Sequence, residues 1–214
     1  MKLHLLSNTD LSFPDPADAL PDGLLAIGGD LRPERLLEAY KKGIFPWYNA
    51  GEPPLWWCPD PRCVLFPENL RVSHSMKSLL RKEAFEFRVN TAFEEVIRAC
   101  RSAPRAGQDG TWITDEVVAG YTALHRQGYA HSAEAWQEGQ LVGGLYGVWL
   151  GRTFFGESMF STVSNSSKYA FIHWVQALQA QGVTLIDCQV PTEHLMSLGA
   201  ELIDRELFLD LIAS

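Results

Sequence analysis

Two carboxylates and one amide follow short apolar stretches in the second half of the chain. Glu157 lies in GRTFFGESMFS, where a predicted strand over residues 152–155 runs into a break made of small residues. Asp187 and Gln189 end VTLIDCQVP, whose β-branched apolar residues are typical of a buried strand. Burying a carboxylate among apolar side chains is costly unless it has a partner. Glu157 therefore either points to solvent at a strand end or belongs to a polar site.

The segment between these two strands would position the polar groups. SNSSKYAFIHWVQALQAQG has apolar residues at helical spacing, candidate caps at 164–166 and a terminating Gly182. Strand, helix and strand form a βαβ crossover, which places the two strands in parallel. Side chains two positions apart on a strand share a face, and ligands of such units bind beyond the carboxyl ends of the strands. We therefore expect Glu157, Asp187 and Gln189 to meet in a small-molecule site.

The composition indicates a globular protein. The 214 residues are 46% hydrophobic and 21% charged, enough for one large domain or for a medium and a small domain. The first residues lack the apolar core of a signal peptide, and no apolar run reaches the length of a membrane span. The four cysteines form no paired CxxC sites, so we expect a reduced, cytoplasmic protein without a metal site.

Positive charge is concentrated in one part of an acidic chain. The net charge is −8, which on its own argues against nucleic acid as a partner. Residues 62–105, however, carry nine basic and five acidic residues. In HSMKSLLRKEAFEF, which is predicted to be a short helix, Lys77 and Arg81 share a face and Lys82 follows them. Further basic residues of the segment are Arg98, Arg101 and Arg105. The excess is compatible with a phosphate-contacting surface, and a solvated helix face is the alternative for any single residue.

The two parts of the chain differ in their predicted elements. Ten of the twelve prolines lie within the first 67 residues, so this part is predicted to be rich in loops, with one clear helix in PERLLEAYKKG. From residue 91 onward we predict two helices joined by a loop over 103–110, antiparallel strands, then helix, parallel strand, helix and a final strand in ELIDRELFLDLI. The fold class is α+β, with a small Pro-rich N-terminal domain, 1–66, followed by a larger domain, 67–214.

The order of elements in the larger domain resembles that of GNAT-type enzymes, so we expect a GNAT-like mixed α/β acyltransferase domain. Ordinary members hold the pyrophosphate of coenzyme A with a Gln/Arg-x-x-Gly-x-Gly turn at a strand-to-helix join. Here FSTVSNSSK occupies that place. The fold therefore suggests acyl transfer, but not coenzyme A as the acyl donor.

Longer motifs are more specific. The chain contains, in this order and along nearly its whole length, GLLAIGGDL, KGIFPW, LWWCPDPR, GTWIT, LVGGLYGV, FFGESMFS, SNSSK, LIDCQV and SLGA. Together they resemble the leucyl/phenylalanyl-tRNA–protein transferase family. The resemblance implies transfer of Leu, Phe or sometimes Met from aminoacyl-tRNA to the N-terminal Arg or Lys of a protein, which marks that protein for degradation. It also implies that no cofactor or metal is used, because an aminoacyl ester is already activated.

The resemblance assigns roles to individual residues. Asp187 and Gln189 match the family's catalytic positions, and Glu157 matches a further carboxylate that could hold the amine or the cationic acceptor. Trp47 and Trp112 match tryptophans near the terminal adenosine, where stacking is natural. The pocket for the amino-acid side chain would include Leu145, Phe154, Gly156, Met159, Phe171, Trp174, Leu178 and Ile186. The surface for the tRNA stem would include Lys77, Arg81 and Lys82.

Two other functions stay open at this point. An N-acetyltransferase that uses acetyl-CoA would need the pyrophosphate turn. A non-catalytic tRNA-binding module would use the basic segment and keep the carboxylates as structural groups, so Asp187→Ala would leave its function intact. For the transferase, the acceptor α-amine must lose a proton, and the sequence does not identify the group that accepts it. We expect a monomer and no membrane association.

Overall fold

The protein contains two β-sheets and seven α-helices within residues 3–103 and 111–213, which the computed structural model describes. Most of the predicted loop over 103–110 lies outside these residues. The strands are β1 (His4–Leu6), β2 (Leu24–Gly28), β3 (Phe45–Pro46), β4 (Leu55–Trp57), β5 (Arg62–Leu65), β6 (Glu86–Val89), β7 (Ala130–Gln137), β8 (Gln140–Leu150), β9 (Thr153–Ser161), β10 (Leu185–Gln189) and β11 (Glu201–Ile203). The α-helices are α1 (Pro33–Lys41), α2 (His74–Arg81), α3 (Phe93–Ser102), α4 (Asp115–Arg126), α5 (Ser166–Ala180), α6 (Glu193–Ser197) and α7 (Arg205–Ala213). Short 3₁₀ helices are formed by Pro16–Asp18 and Pro67–Asn69.

The larger sheet has the strand order β11-β5-β10-β9-β8-β7-β6. Its neighbouring strands are antiparallel except β9 and β10, which are parallel and are joined by α5. The predicted βαβ crossover is therefore confirmed. Helix α5 packs against β7, β8 and β9, and its residues Phe171, Trp174 and Leu178 are buried as its apolar spacing predicted.

The N-terminal part contains the smaller sheet, of order β1-β2-β4-β3, and helix α1. Its core is continuous with that of the larger sheet, because Leu36 of α1 belongs to the same hydrophobic cluster as Tyr121 of α4 and Phe155 of β9. Strand β5, which precedes the predicted boundary after residue 66, also pairs within the larger sheet. The mixed α and β fold class is confirmed, whereas the position of the domain boundary stays a prediction.

The segment after His74 differs from its predicted structure. The helix ends at Arg81, and the residues Glu86–Val89 form the edge strand β6 against β7 instead of continuing the helix. Phe87 and Val89 pack against the hydrophobic core while Glu86 is exposed, which is the two-residue period of a strand.

The end of the chain also differs. Only Glu201–Ile203 forms the expected final strand, and α7 follows it. Within α7, Phe208 is fully buried, and Leu211 and Ile212 pack against the core three and four residues later. This spacing is that of a helix face, so the apolar residues of the segment could not all be buried by a strand.

Candidate active site

Glu157 is the extra residue of a β-bulge in β9. The strand does not break beside Glu157, as the small residues had suggested, but continues to Ser161. Its register against β8 shifts between Tyr146 and Gly147, so that Glu157 has no residue opposite it. A bulge bends its strand and redirects a side chain, and bulges are common next to active sites. The Glu157 side chain thus projects from the interior of the sheet and not from the end of a strand.

The two parallel strands stop pairing next to this bulge. β10 pairs with β9 only as far as Asp187, and it ends at Gln189, whose φ of +63° is left-handed. A register shift against β5 lies between Asp187 and Gln189, so the two do not share a face of a regular strand, as their spacing had suggested. A cavity of about 570 Å³ lies here and is lined by Glu157, Asp187 and Gln189. The structure therefore brings the three predicted residues together.

Three side chains donate hydrogen bonds to the Glu157 carboxylate. The Tyr40 hydroxyl lies 2.6 Å from Oε1 and the Tyr121 hydroxyl 3.0 Å from Oε2. Nε2 of Gln189 lies 3.0 Å from Oε1. The two tyrosine oxygens also lie within hydrogen-bonding distance of each other, but each hydroxyl has a single proton, which is donated to Glu157 in this arrangement. The carboxylate is therefore fixed by residues of α1, α4 and β10, three elements that are distant in sequence.

The electrostatics of this cluster favour a carboxylate that can exchange a proton near neutral pH. Burial raises the pKa of Glu157 to about 7, with the hydroxyls of Tyr40 and Tyr121 opposing the increase and the negative charge of Asp187 adding to it. Burial and the Glu157 charge raise the pKa of both tyrosines well above the usual value. The tyrosines therefore stay protonated and act as donors at neutral pH.

Asp187 is held in a buried ion pair. Both its side chain and that of Arg62 are 0% exposed. Nε and Nη2 of Arg62 lie 2.8 and 2.7 Å from the two carboxylate oxygens, a bidentate arrangement. The backbone N–H of Gln189 donates to Oδ1 of Asp187 over 2.9 Å. The Asp187 oxygens are thus bonded to groups of the protein, and the carboxylate orients the backbone that carries Gln189.

The predicted pocket residues divide into two groups. Those that line the cavity are Leu145, Gly156, Met159, Phe171 and Ile186. Phe154, Trp174 and Leu178 do not line it; they are buried in the same hydrophobic cluster as Leu145 and Phe171. The reason is packing within the sheet and α5: the rings of Phe154 and Trp174 contact each other edge to face at 5.6 Å. These three residues support the wall without forming its surface.

Both predicted adenosine-site tryptophans line the cavity. Trp47 is 45% exposed, and its ring lies 5.8 Å from that of Trp57, whose Nε1–H donates to the Trp47 carbonyl over 2.7 Å. Trp112 is buried. A large exposed ring held by a neighbouring indole is suited to stacking against a planar group.

The predicted tRNA-binding residues lie on the exposed surface of α2 and its C-terminal end. Lys77, Arg81 and Lys82 are exposed and do not line the cavity. Among residues 3–103 and 111–213 none of these three takes part in an ion pair, whereas Arg98 pairs with Glu94 and Arg101 with Asp115. Arg105 lies outside the described residues. The unpaired cations Lys77, Arg81 and Lys82 thus lie together on α2 and its C-terminal end, and the exposed Arg71 before α2 likewise has no ion pair within the described residues.

Sequence reasoning missed three residues of the site. Tyr40 lies in PERLLEAYKKG, which was predicted only as a helix, and neither Tyr121 nor Arg62 was singled out. Tyr40 is a tyrosine among leucines on a buried face, which is a weak sign of a hydroxyl with a partner. The PDPR motif contains Arg62, yet nothing local connects it to Asp187, which lies 125 residues later.

The described part of the chain offers no evident place for a metal ion: it contains no group of three or more His, Cys, Asp or Glu side chains that could ligate one. In the same residues no helix has the length and apolar character needed to cross a membrane.

Comparisons with known proteins agree along nearly the whole chain. The family described as leucyl/phenylalanyl-tRNA protein transferase matches residues 64–213, and the N-terminal domain of the same family matches residues 29–60. A leucyl/phenylalanyl-tRNA–protein transferase of Chromobacterium violaceum is 60% identical over 199 residues, 92% of this chain and 85% of the relative. One of Pseudomonas fluorescens is 53% identical over 213 residues, 99% of this chain and 94% of the relative.

Solved structures are similar at a greater distance. That of L-PGS from Bacillus licheniformis has a TM-score of 0.42 at 15% identity and covers 79% of this chain and 54% of that one. A GCN5-related N-acetyltransferase from Kribbella flavida has a TM-score of 0.37 at 13% identity and covers 84% of this chain and 66% of that one.

The family matches define an enzyme of the transferase class. The chain belongs to the leucyl/phenylalanyl-tRNA protein transferase family, because the family matches more than half of its length and relatives with over 50% identity span it almost entirely.

Proposed function

We propose that this protein transfers Leu, Phe or Met from an aminoacyl-tRNA to the N-terminal Arg or Lys of an acceptor protein. The observation that carries the proposal, beside the family membership, is the composition of the cavity. It combines an apolar wall with the carboxylate of Glu157 and the amide of Gln189. This is what a site needs in order to bind an apolar aminoacyl side chain and an attacking amine together.

The apolar wall accounts for the class of amino acid. Leu145, Phe171 and Ile186 are buried hydrophobic residues, and Met159 is a flexible one that adapts to side chains of different shape. Leu, Phe and Met are unbranched at Cβ and need no hydrogen-bonding partner. Discrimination by such a wall is modest, about 1–3 kcal/mol per methylene.

Glu157 is the residue to which we assign the proton of the acceptor amine. An α-ammonium group has a pKa of about 7.7–8.0, close to the pKa of about 7 to which burial raises Glu157. Transfer of the proton between them is therefore nearly balanced, which suits general-base catalysis at neutral pH. The amine nitrogen then bonds to the ester carbonyl carbon, and the bond from that carbon to the ribose oxygen breaks. Of the two protons that the ammonium group loses, one ends on the ribose oxygen, which becomes a hydroxyl, and the other is released to solvent.

Gln189 and Asp187 serve this step by positioning. Because Nε2 of Gln189 donates to Glu157, its carbonyl oxygen is left to accept a hydrogen bond from the amine. Asp187 accepts the Gln189 backbone N–H and so holds the left-handed turn that places this side chain. Two groups fixed at the attacking nitrogen contribute mainly through orientation and electrostatics.

The tRNA contacts follow from the exposed aromatic and basic residues. Trp47 offers its exposed ring to the terminal adenine, and Trp112 forms a further part of the same cavity. Lys77, Arg81 and Lys82 would contact phosphates of the stem, which carry no sequence information. That arrangement suits an enzyme that accepts several tRNAs. A monomer in the cytoplasm is part of the same proposal.

The test is a transfer assay without ATP or coenzyme A. Purified protein is mixed with [14C]Leu-tRNA and a peptide that begins with Arg, and radioactivity in the peptide is measured. A peptide that begins with Gly and is otherwise identical is the matched control. Label in the Arg peptide alone is the expected result. Labelling of both peptides would refute the acceptor specificity. Labelling only in a parallel reaction, in which [14C]acetyl-CoA replaces Leu-tRNA, would refute the proposed reaction.

A further inference from the structure

Arg62 is a buried arginine whose surroundings are built around its charge. Its guanidinium carbon lies 4.8 Å from the centre of the Phe45 ring and 4.4 Å from that of Phe208. Its Nη1 has no hydrogen-bond partner among the described residues. Burying a charge with an unsatisfied N–H is costly. The two rings offset part of this cost by cation–π contact, so the environment is arranged to keep an arginine here.

The Arg62 side chain does not reach the cavity in which we place the reaction. It is absent from the residues that line the cavity, whereas Asp187, to which it is bonded, is among them. Its planar fork bonds to both oxygens of Asp187 and thereby fixes the rotation of that carboxylate. Oδ1 of Asp187 in turn holds the backbone N–H of Gln189, and Gln189 contacts Glu157. A continuous chain of hydrogen bonds therefore runs from Arg62 to the carboxylate that faces the substrate.

We propose that Arg62 is a positioning residue for aminoacyl transfer, which acts through Asp187 on the backbone of Gln189. The inference rests on the proposed function. Phe45 and Phe208 contribute to this arrangement, because the guanidinium lies over both of their rings. Helix α7, which provides Phe208 at the end of the chain, is thereby connected to the active site.

The experiment measures single-turnover transfer from Leu-tRNA to the Arg peptide for Arg62→Met, Arg62→Lys, Asp187→Asn and the double variant Arg62→Met/Asp187→Asn. Arg62→Met is expected to lower kcat about 100-fold while KM for the tRNA changes less than about threefold. Arg62→Lys keeps the charge but lacks the bidentate fork, so its kcat should stay at least about tenfold low. In the Asp187→Asn background, Arg62→Met should change kcat by less than about threefold, since the two residues act as a unit.

Arg35→Met is the matched control. Arg35 is also fully buried, but it donates to the backbone carbonyls of Ser7 and Asp10 in the N-terminal part. Its loss should lower thermal stability and leave kcat of the folded enzyme unchanged. Circular dichroism and thermal unfolding define the folded fraction of every variant.

The outcomes separate the two proposals. The role of Arg62 would be overturned, and the proposed function kept, if the wild type transfers Leu but Arg62→Met has equal effects in both backgrounds. The same conclusion would follow if folded Arg62→Met or folded Asp187→Asn is fully active. If Arg62→Met does not fold, Arg62→Lys and the comparison of Asp187→Asn with the double variant still decide, because the double variant contains neither buried charge. Absence of transfer by the wild type would overturn the proposed function and this role with it.

Discussion

At the scale of single residues, the charge state of Glu157 is expected to connect activity to pH. Burial raises its pKa to about 7, so the carboxylate is mostly protonated at about pH 5.5 and mostly ionised at about pH 8.5. We expect kcat of transfer to rise through about pH 7 and to level off above it. In Glu157→Gln this limb should disappear, and kcat at pH 8 should fall about 100- to 10,000-fold. Single-turnover transfer at saturating acceptor, measured from about pH 5.5 to 8.5, tests this.

Ionisation of Glu157, which should raise the rate of transfer, should lower the stability of the folded state. A carboxyl whose pKa is raised by folding destabilises the folded state when it is ionised, that is above about pH 7, and this cost disappears as the pH falls from 7 toward the unfolded pKa of about 4.3. Glu157→Gln should therefore raise the free energy of unfolding by about 1–3 kcal/mol at pH 8 and much less at pH 5. Urea unfolding of both proteins at the two pH values measures this difference. A Glu157→Gln variant that is less stable than the wild type at pH 8 would contradict this account of the site.

At the scale of elements, the bulge in β9 depends on Gly147 and not on Gly156. A Cβ atom on Gly147 would lie 2.2 Å from the backbone oxygen of Phe155 and 2.6 Å from the Phe154 ring. On Gly156 the nearest atom would be the Asp187 backbone oxygen at 3.5 Å, an ordinary contact. Gly147→Ala should therefore destabilise the protein by about 3 kcal/mol, the upper end of what overpacking costs, and Gly156→Ala by less than about 1 kcal/mol. Urea unfolding of both variants measures the difference, and equal stability would show that β8 and β9 are not constrained here.

Elements with local signals were predictable from the sequence. Helices α4 and α6 begin after Thr114 and Thr192, a residue type that is common at helix starts, and both hydroxyls accept a backbone N–H of the following turn. Helix α3 shows the limit: its cap residue Ala92 has no capping side chain, and Glu134 of β7 accepts the N–H groups of Thr91 and Ala92 instead. That cap depends on how the sheet is assembled, so no local pattern could reveal it.

The site was predictable to the extent that its residues lie on one crossover. Glu157, Asp187 and Gln189 are close because the crossover joins β9 and β10, and the sequence contains the crossover. Tyr40 and Arg62 reach the same place from α1 and β5, 117 and 125 residues away from their partners. Burial of these polar groups was not foreseeable either, because the partners that stabilise them come from other elements of the fold.

At the scale of the whole molecule, a chain of net charge −8 is proposed to bind a polyanion. The overall field opposes that encounter, so a local surface must outweigh it at short range. The exposed cations Lys77, Arg81 and Lys82, on α2 and at its C-terminal end, are suited to binding phosphates. Within the described residues, no carboxylate forms an ion pair with them and neutralises their charge. At physiological salt the Debye length is about 8 Å, so distant acidic residues are screened while contacts to phosphates are not.

Reversal of two of these cations should therefore weaken tRNA binding specifically. Lys77→Glu/Arg81→Glu is expected to raise KM for Leu-tRNA about 10- to 100-fold and to reduce the slope of log affinity against log salt by about two. With leucyl-adenosine as donor, which has no phosphates, kcat should equal that of the wild type. The control, Arg126→Glu/Arg152→Glu, reverses two exposed cations near the end of the sheet where β10 begins, opposite the cavity; Arg126 differs from the α2 cations in that it pairs with Glu94. Because both double variants have the same net charge, an equal increase of KM in the control would mean that overall charge, not the surface of α2, governs tRNA binding.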